Sequence, residues 1–135
     1  MSIEVEAFRR LFAEGFSKGK LAVVDELVSP EFREHQRGLE SGPESLKALI
    51  RQLRDWFSDF ALTPEDIVQS GDTVWGRMKG RGTNTGSIMG HPPTGNGLEI
   101  DVIDIIRFRD GKIIEHWGVP DQLGMMQQMG LLPSR

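Results

Sequence analysis

The chain has 135 residues, a formal net charge of −4, 27% charged residues and no cysteine. That length fits a single domain over residues 1–135 with a core of its own. The mixed charges without a basic patch exclude nucleic acid as an expected partner. The lack of cysteine excludes disulfides and thiolate metal sites.

Residues 2–18 place Val5, Phe8, Leu11, Phe12 and Phe16 at three- and four-residue steps, one apolar helix face ended at Gly19. The acids in this segment distinguish it from a secretory leader, and a cytoplasmic location is expected. No apolar run approaches the roughly 20 residues that cross a bilayer, so no membrane contact is expected. Residues 21–28 read as a short second helix, closed by Ser29-Pro30 because the residue before proline avoids helical geometry. Residues 31–36 read as extended, with Phe32 facing inward. A third helix opens at Pro43 or Glu44 and runs to Phe57, with Leu46, Leu49, Ile50, Leu53 and Phe57 as its buried stripe and Trp56 beside it.

The period then changes from helix to strand. Residues 60–69 form an edge or bent strand, since Pro64 has no amide to donate. Residues 73–83 alternate as a second strand, and residues 84–97 are a loop rich in glycine and proline. Residues 98–109 are the strongest strand signal. Asp110-Gly111 is a hairpin turn leading into a strand over 112–119. Residues 121–129 read as a terminal helix stopped by Gly130. Three helices followed by mostly antiparallel strands give an α+β fold, a curved sheet over helices with a cavity between the layers. Residues 98–109 are apolar on both faces, with Ile103 and Ile105 opposite Ile100, Val102, Ile106 and Phe108. One face packs on the helices, and a second subunit is the expected cover for the other.

No HExxH, nucleophile elbow or phosphate-binding glycine loop is present, and no metal or cofactor is expected. The candidate chemistry lies in acids and histidines within apolar strands. Asp104 shares a face with Val102 and Ile106, where a carboxylate needs a partner; Arg77 and Arg107 are the structural alternatives. His116 shares the face of Ile114. Asp121 follows the last strand, where it either points over the open end of the sheet or caps the terminal helix. His35 lies in the extended stretch after Phe32, and His91 falls in the exposed loop. An aspartate and a histidine in one apolar pocket move protons on a carbon acid without a cofactor.

Several runs carry a family likeness: Pro-Pro-Thr-Gly at residues 92–95, IDIIRFRDGKIIEHW at residues 103–117, an aspartate four residues after that tryptophan, and the earlier DELVSPEFREH and GPESLKALIRQLRDWFSDF. With these the chain resembles the SnoaL-like polyketide cyclases, or SnoaL-like ester cyclases, of the nuclear transport factor 2-like superfamily. The resemblance implies a cone-shaped α+β barrel, commonly a homodimer through its sheet. It also implies a ring-closing intramolecular aldol reaction on a small hydrophobic, polycyclic aromatic carbonyl compound, without metal or cofactor. By the same resemblance Asp121 is the general acid/base, His116 and His35 bind or polarise carbonyl oxygens, and Asp104 lines the pocket. Trp56, Trp75, Met78 and Trp117 wall the cavity. Glu34 stands where family members often carry aspartate. Two other readings remain open on the same scaffold, a ligand-binding module without turnover and an epoxide hydrolase or dehydratase.

Overall fold

The helical period of the first half and the strand period of the second produce two layers in the computed structural model, which describes residues 1–132. Helix α1 covers Ile3–Arg10. Ser2 caps it, its hydroxyl accepting from the Val5 amide at 3.0 Å. The expected helix over 2–18 is not uniform, because from Leu11 to Phe16 it widens into π-helical geometry. The wider turn brings Leu11, Phe12 and Phe16 together on the buried side. Phe8, Phe12 and Phe16 then pack in series, the first pair edge-to-face and the second tilted, with ring centroids 4.9 and 5.3 Å apart. Gly19 ends the segment at φ 73°, a left-handed conformation that a side chain disfavours.

Helix α2 (Ala22–Leu27) passes directly into strand β1 (Val28–Glu34). The strand thus begins before Ser29-Pro30, where the sequence suggested only a helix end; extended geometry already satisfies the pre-proline restriction. Helix α3 spans Pro43–Trp56, with the proline in its first turn. Strands β2 (Ala61–Ser70), β3 (Thr73–Thr83), β4 (Gly97–Arg109) and β5 (Lys112–Pro120) follow, then helix α4 (Gln122–Gln128).

The sheet order is β1-β5-β4-β3-β2. Only the β1–β5 pair is parallel. Strand β2 lies at an edge, as Pro64 requires, and its register shifts between Pro64 and Asp66. A second irregularity separates the Arg107–Glu115 and Phe108–Ile113 pairs, leaving Ile114 as an extra residue on β5. The helices cover the inner face, where Val74, Met78, Ile106 and Phe108 are buried. This is the α+β architecture expected from the element order, with the cone shape that the family resemblance implies.

The loop between β3 and β4 is fixed by buried Asn84. Its amide donates to the carbonyls of Trp56 and Gly86, and its carbonyl oxygen accepts from the Thr94 amide and hydroxyl. The Pro-Pro-Thr-Gly run is thereby tied to the end of α3. Among the described residues no helix is long and apolar enough to cross a membrane.

Candidate active site

Between the sheet and the helices lies a cavity of about 330 Å³, within the range of small-molecule sites. Strand β4 contributes Leu98, Ile100, Val102, Asp104 and Ile106, every second residue, as the two-residue period of a strand demands. The opposite wall comes from the π-helical segment and α3, including Leu11, Phe12, Phe16 and Trp56. The polar groups in this lining are few: Gln36, Arg37, Gln52, Asp104, His116 and Gln122.

Two of them belong to one buried chain of three ionisable residues. His116 Nδ1 lies 2.6 Å from Glu34 Oε2, and His116 Nε2 lies 2.7 Å from Asp104 Oδ1. The side chains of Glu34 and Asp104 are only 2% and 4% exposed. Strand register creates the arrangement. Glu34 sits beside His116 in the parallel β1–β5 pair. In the antiparallel β4–β5 pair His116 faces Ile106, so Asp104 is its diagonal neighbour on the same face.

A ring flanked by two carboxylate acceptors donates from both nitrogens only as imidazolium. Burial on its own pushes the His116 pKa down, but the hydrogen bonds and negative charges of Asp104 and Glu34 outweigh it and raise the pKa to about 9. The charged imidazolium then holds Asp104 by one oxygen. Glu34 Oε2 is itself fixed by the Gln36 amide at 3.1 Å. The second oxygen of Asp104, Oδ2, is buried and receives no hydrogen bond among the described residues. A buried carboxylate oxygen without a donor carries an uncompensated desolvation cost. Both ring nitrogens of His116 are engaged by carboxylates. Among the described residues no three His, Cys, Asp or Glu side chains form a metal-ligand group.

The structure therefore brings His116 and Asp104 together, and Asp104 pairs with His116 instead of Arg77 or Arg107. Trp56 lines the cavity as expected. The remaining expected site residues lie elsewhere. Asp121 is the N-cap of α4, its Oδ1 accepting from the Gly124 amide at 2.9 Å; it is exposed and absent from the cavity wall. Proline at 120 puts the cavity-facing position one residue earlier and leaves Asp121 to the helix. His35 lies on the outer face, bonded to Glu115 Oε2 at 2.7 Å and stacked on Trp117 with centroids 4.7 Å apart. Trp117 is on that same face, since it neighbours inward-facing His116. Trp75 is 47% exposed. Met78 is wholly buried but packs in the core beside Phe8 and Gly76, away from the cavity wall.

Two site residues were missed, Glu34 and Gln36. Alternation was the available signal. With Phe32 facing inward, Glu34 and Gln36 share its face and His35 takes the other.

Comparison with known proteins agrees with this architecture. A family model described as SnoaL-like polyketide cyclase matches residues 6–129. The chain is similar to the aklanonic acid methyl ester cyclase DnrD of Streptomyces peucetius, with 32% identity covering 96% of this chain and 92% of that protein. It is also similar to the nogalonic acid methyl ester cyclase of Streptomyces nogalater, with 29% identity over 85% of this chain and 89% of that one. The crystal structure of IdmH from Streptomyces antibioticus superposes with a TM-score of 0.84 at 32% identity, covering 94% of this chain and 98% of that one. Fold, cavity and sequence match converge: the chain belongs to the SnoaL-like polyketide cyclase family.

Proposed function

We propose that this protein closes a carbocyclic ring in a polyketide ester by base-catalysed intramolecular aldol addition, with Asp104 as the base. One observation carries the reading: Asp104 lines the apolar cavity, its Oδ1 is held by His116, and its buried Oδ2 has no donor among the described residues. Oδ2 takes a proton from the carbon between two carbonyl groups. The electron pair left behind delocalises as an enolate, attacks a second carbonyl of the same molecule and forms the carbon–carbon bond. The resulting alkoxide recovers the proton from Asp104, so the cycle needs no oxidant, reductant or net proton. His116 acts as a positioning residue that keeps Asp104 oriented, and Glu34 keeps His116 charged. The substrates named for the relatives, the methyl esters of aklanonic and nogalonic acid, are small organic esters of the kind that a cavity of about 330 Å³ lined mostly by apolar side chains takes.

Incubation with aklanonic acid methyl ester in deuterated water tests this. Wild type is expected to yield cyclised product and to exchange the acidic carbon's proton; Asp104→Asn is expected to bind without doing either. Binding by wild type with neither exchange nor cyclisation favours the ligand-binding alternative. Solvent oxygen in the product favours hydrolysis.

We further propose that the protein is a homodimer through the outer face of the sheet. Support comes from a row that runs across neighbouring strands in register, Val68–Trp75–Ile105–Trp117. Val68 and Trp75 are 61% and 47% exposed, and Val119 beside them is 67% exposed. Such a patch is unusual on a solvated sheet. Sedimentation as a monomer at micromolar concentration contradicts it. A cytoplasmic location belongs to the same reading and is checked by cell fractionation.

A further inference from the structure

Asp104 faces Gly118 across the β4–β5 pair. The missing side chain there has a structural consequence. A Cβ on Gly118 would overlap Gln36 Oε1, and it would stand 2.8 Å from His116 Cε1 and 3.2 Å from Gln36 Cδ. The Gln36 amide thus lies across the bare backbone of residue 118, on the face that carries His116. Gln36 lines the cavity, and its side-chain amide makes no hydrogen bond among the described residues. Its backbone, in contrast, is tied down, its N–H donating to Glu34 Oε2 at 3.1 Å. An amide seated on the strand pair that carries Asp104, with its donors free, is placed to bind an oxygen next to the carbon that Asp104 deprotonates.

We infer that Gln36, seated on Gly118, is the group that binds and polarises the substrate carbonyl beside Asp104. The inference rests on the cyclase reading and gives it the second half of its chemistry. Removal of a proton by Oδ2 moves an electron pair onto the adjacent carbonyl oxygen. The Gln36 N–H donates to that oxygen, most strongly when it carries the developing negative charge. A donor aimed at charge that appears only in the transition state lowers the barrier instead of merely tightening binding. Gly118 is the permissive residue, because any side chain there takes the place of the amide. Its effect passes through Gln36, which is flexible and gives way, whereas His116 is held at both ring nitrogens.

The probe is 9-fluorenone, a flat tricyclic ketone with one carbonyl. Binding is followed by quenching of tryptophan fluorescence and the carbonyl by its infrared stretch. In wild type the bound carbonyl band is expected to move to lower wavenumber than in hydrocarbon solvent. Gln36→Leu and Gly118→Ala are expected to abolish that shift and weaken binding about five-fold, the loss of one neutral hydrogen bond. The titration midpoint of His116 is expected to stay near 9 in both variants, which separates a lost donor from a collapsed site. An unshifted band in bound wild type overturns the inference, as does a shift that survives in Gln36→Leu. Failure of wild type to bind the ketone overturns this inference, while the cyclase reading is decided separately by turnover of aklanonic acid methyl ester. In turnover of aklanonic acid methyl ester, Gln36→Leu is expected to lower kcat about 10²-fold with KM moved far less. An unchanged kcat overturns Gln36 alone and leaves Asp104 standing.

Discussion

Two histidines sit back to back on the β1–β5 pair, joined by the hydrogen bond from the His35 amide to the His116 carbonyl at 2.9 Å. Each bonds a carboxylate, yet they have different surroundings. His116 lies inside the cone between Glu34 and Asp104, with its side chain 11% exposed. His35 lies outside, 36% exposed, stacked on Trp117 and bonded to a Glu115 that Arg107 also engages. Among the described residues the inner carboxylates pair with no cation other than the imidazolium, so they keep it charged. The outer carboxylate already has an arginine. The comparison teaches that residue type does not decide the role. The face of the strand decides, because it fixes solvation and the number of uncompensated charges nearby.

The largest effect that sharpens this contrast is expected from Glu34→Ala. It takes one carboxylate from a buried charged group, and loss of a partner from a buried ion pair destabilises by roughly 3–5 kcal/mol. Urea unfolding measures it. Glu115→Ala on the outer face is expected to cost less than Glu34→Ala, since its partners His35 and Arg107 are 36% and 37% exposed and can be solvated once it is gone. Equal losses would erase the distinction between the faces.

Next comes pH. The pKa of His116 is about 9 in the folded chain and about 6.5 unfolded. A group with a raised folded pKa binds its proton more tightly in the native state, so it stabilises the fold. The stabilisation, about 3 kcal/mol, is complete below pH 6.5, declines as pH rises through the window and is gone above about 9. Unfolding free energy measured from pH 6 to 10 should fall in that window, and the fall should shrink in Asp104→Asn. A flat profile in wild type contradicts the charged inner histidine.

A smaller effect is expected at Asp121. As a helix cap its replacement by alanine removes about 1 kcal/mol of stability, and Asp121→Asn, an equally good cap, removes almost none. The smallest is His35→Gln, expected to change kcat less than about two-fold, read in the same turnover assay as Asp104→Asn. A large loss there would bring the outer face into the chemistry.

Much of this was legible in the sequence. The apolar steps of α3 and the alternation of β4 specify their elements and their inward faces, and Pro64 marks β2 as an edge. Asp104 announced itself as a carboxylate among valine and isoleucine. Other features needed the third dimension. The π-helical turn over Leu11–Phe16 follows from packing against the cavity and leaves no mark on a helical period. The extra residue at Ile114 lets Ile113 and His116, three residues apart, both reach the cavity, which strict alternation forbids. Asn84 was unreadable because its partners come from the end of α3 and from a residue ten positions later. Glu34 was readable from Phe32 by alternation alone. It was passed over for a histidine whose side chain the same alternation sends outward.

The central claim is that the base is Asp104 inside the cone and not Asp121 at the helix cap. Cyclisation of aklanonic acid methyl ester by wild type, Asp104→Asn and Asp121→Asn, measured side by side, tests it most directly. The account predicts a loss of roughly 10²- to 10⁴-fold in kcat for Asp104→Asn and a rate within about two-fold of wild type for Asp121→Asn. A variant Asp104→Asn that keeps its rate while Asp121→Asn loses it would contradict the account.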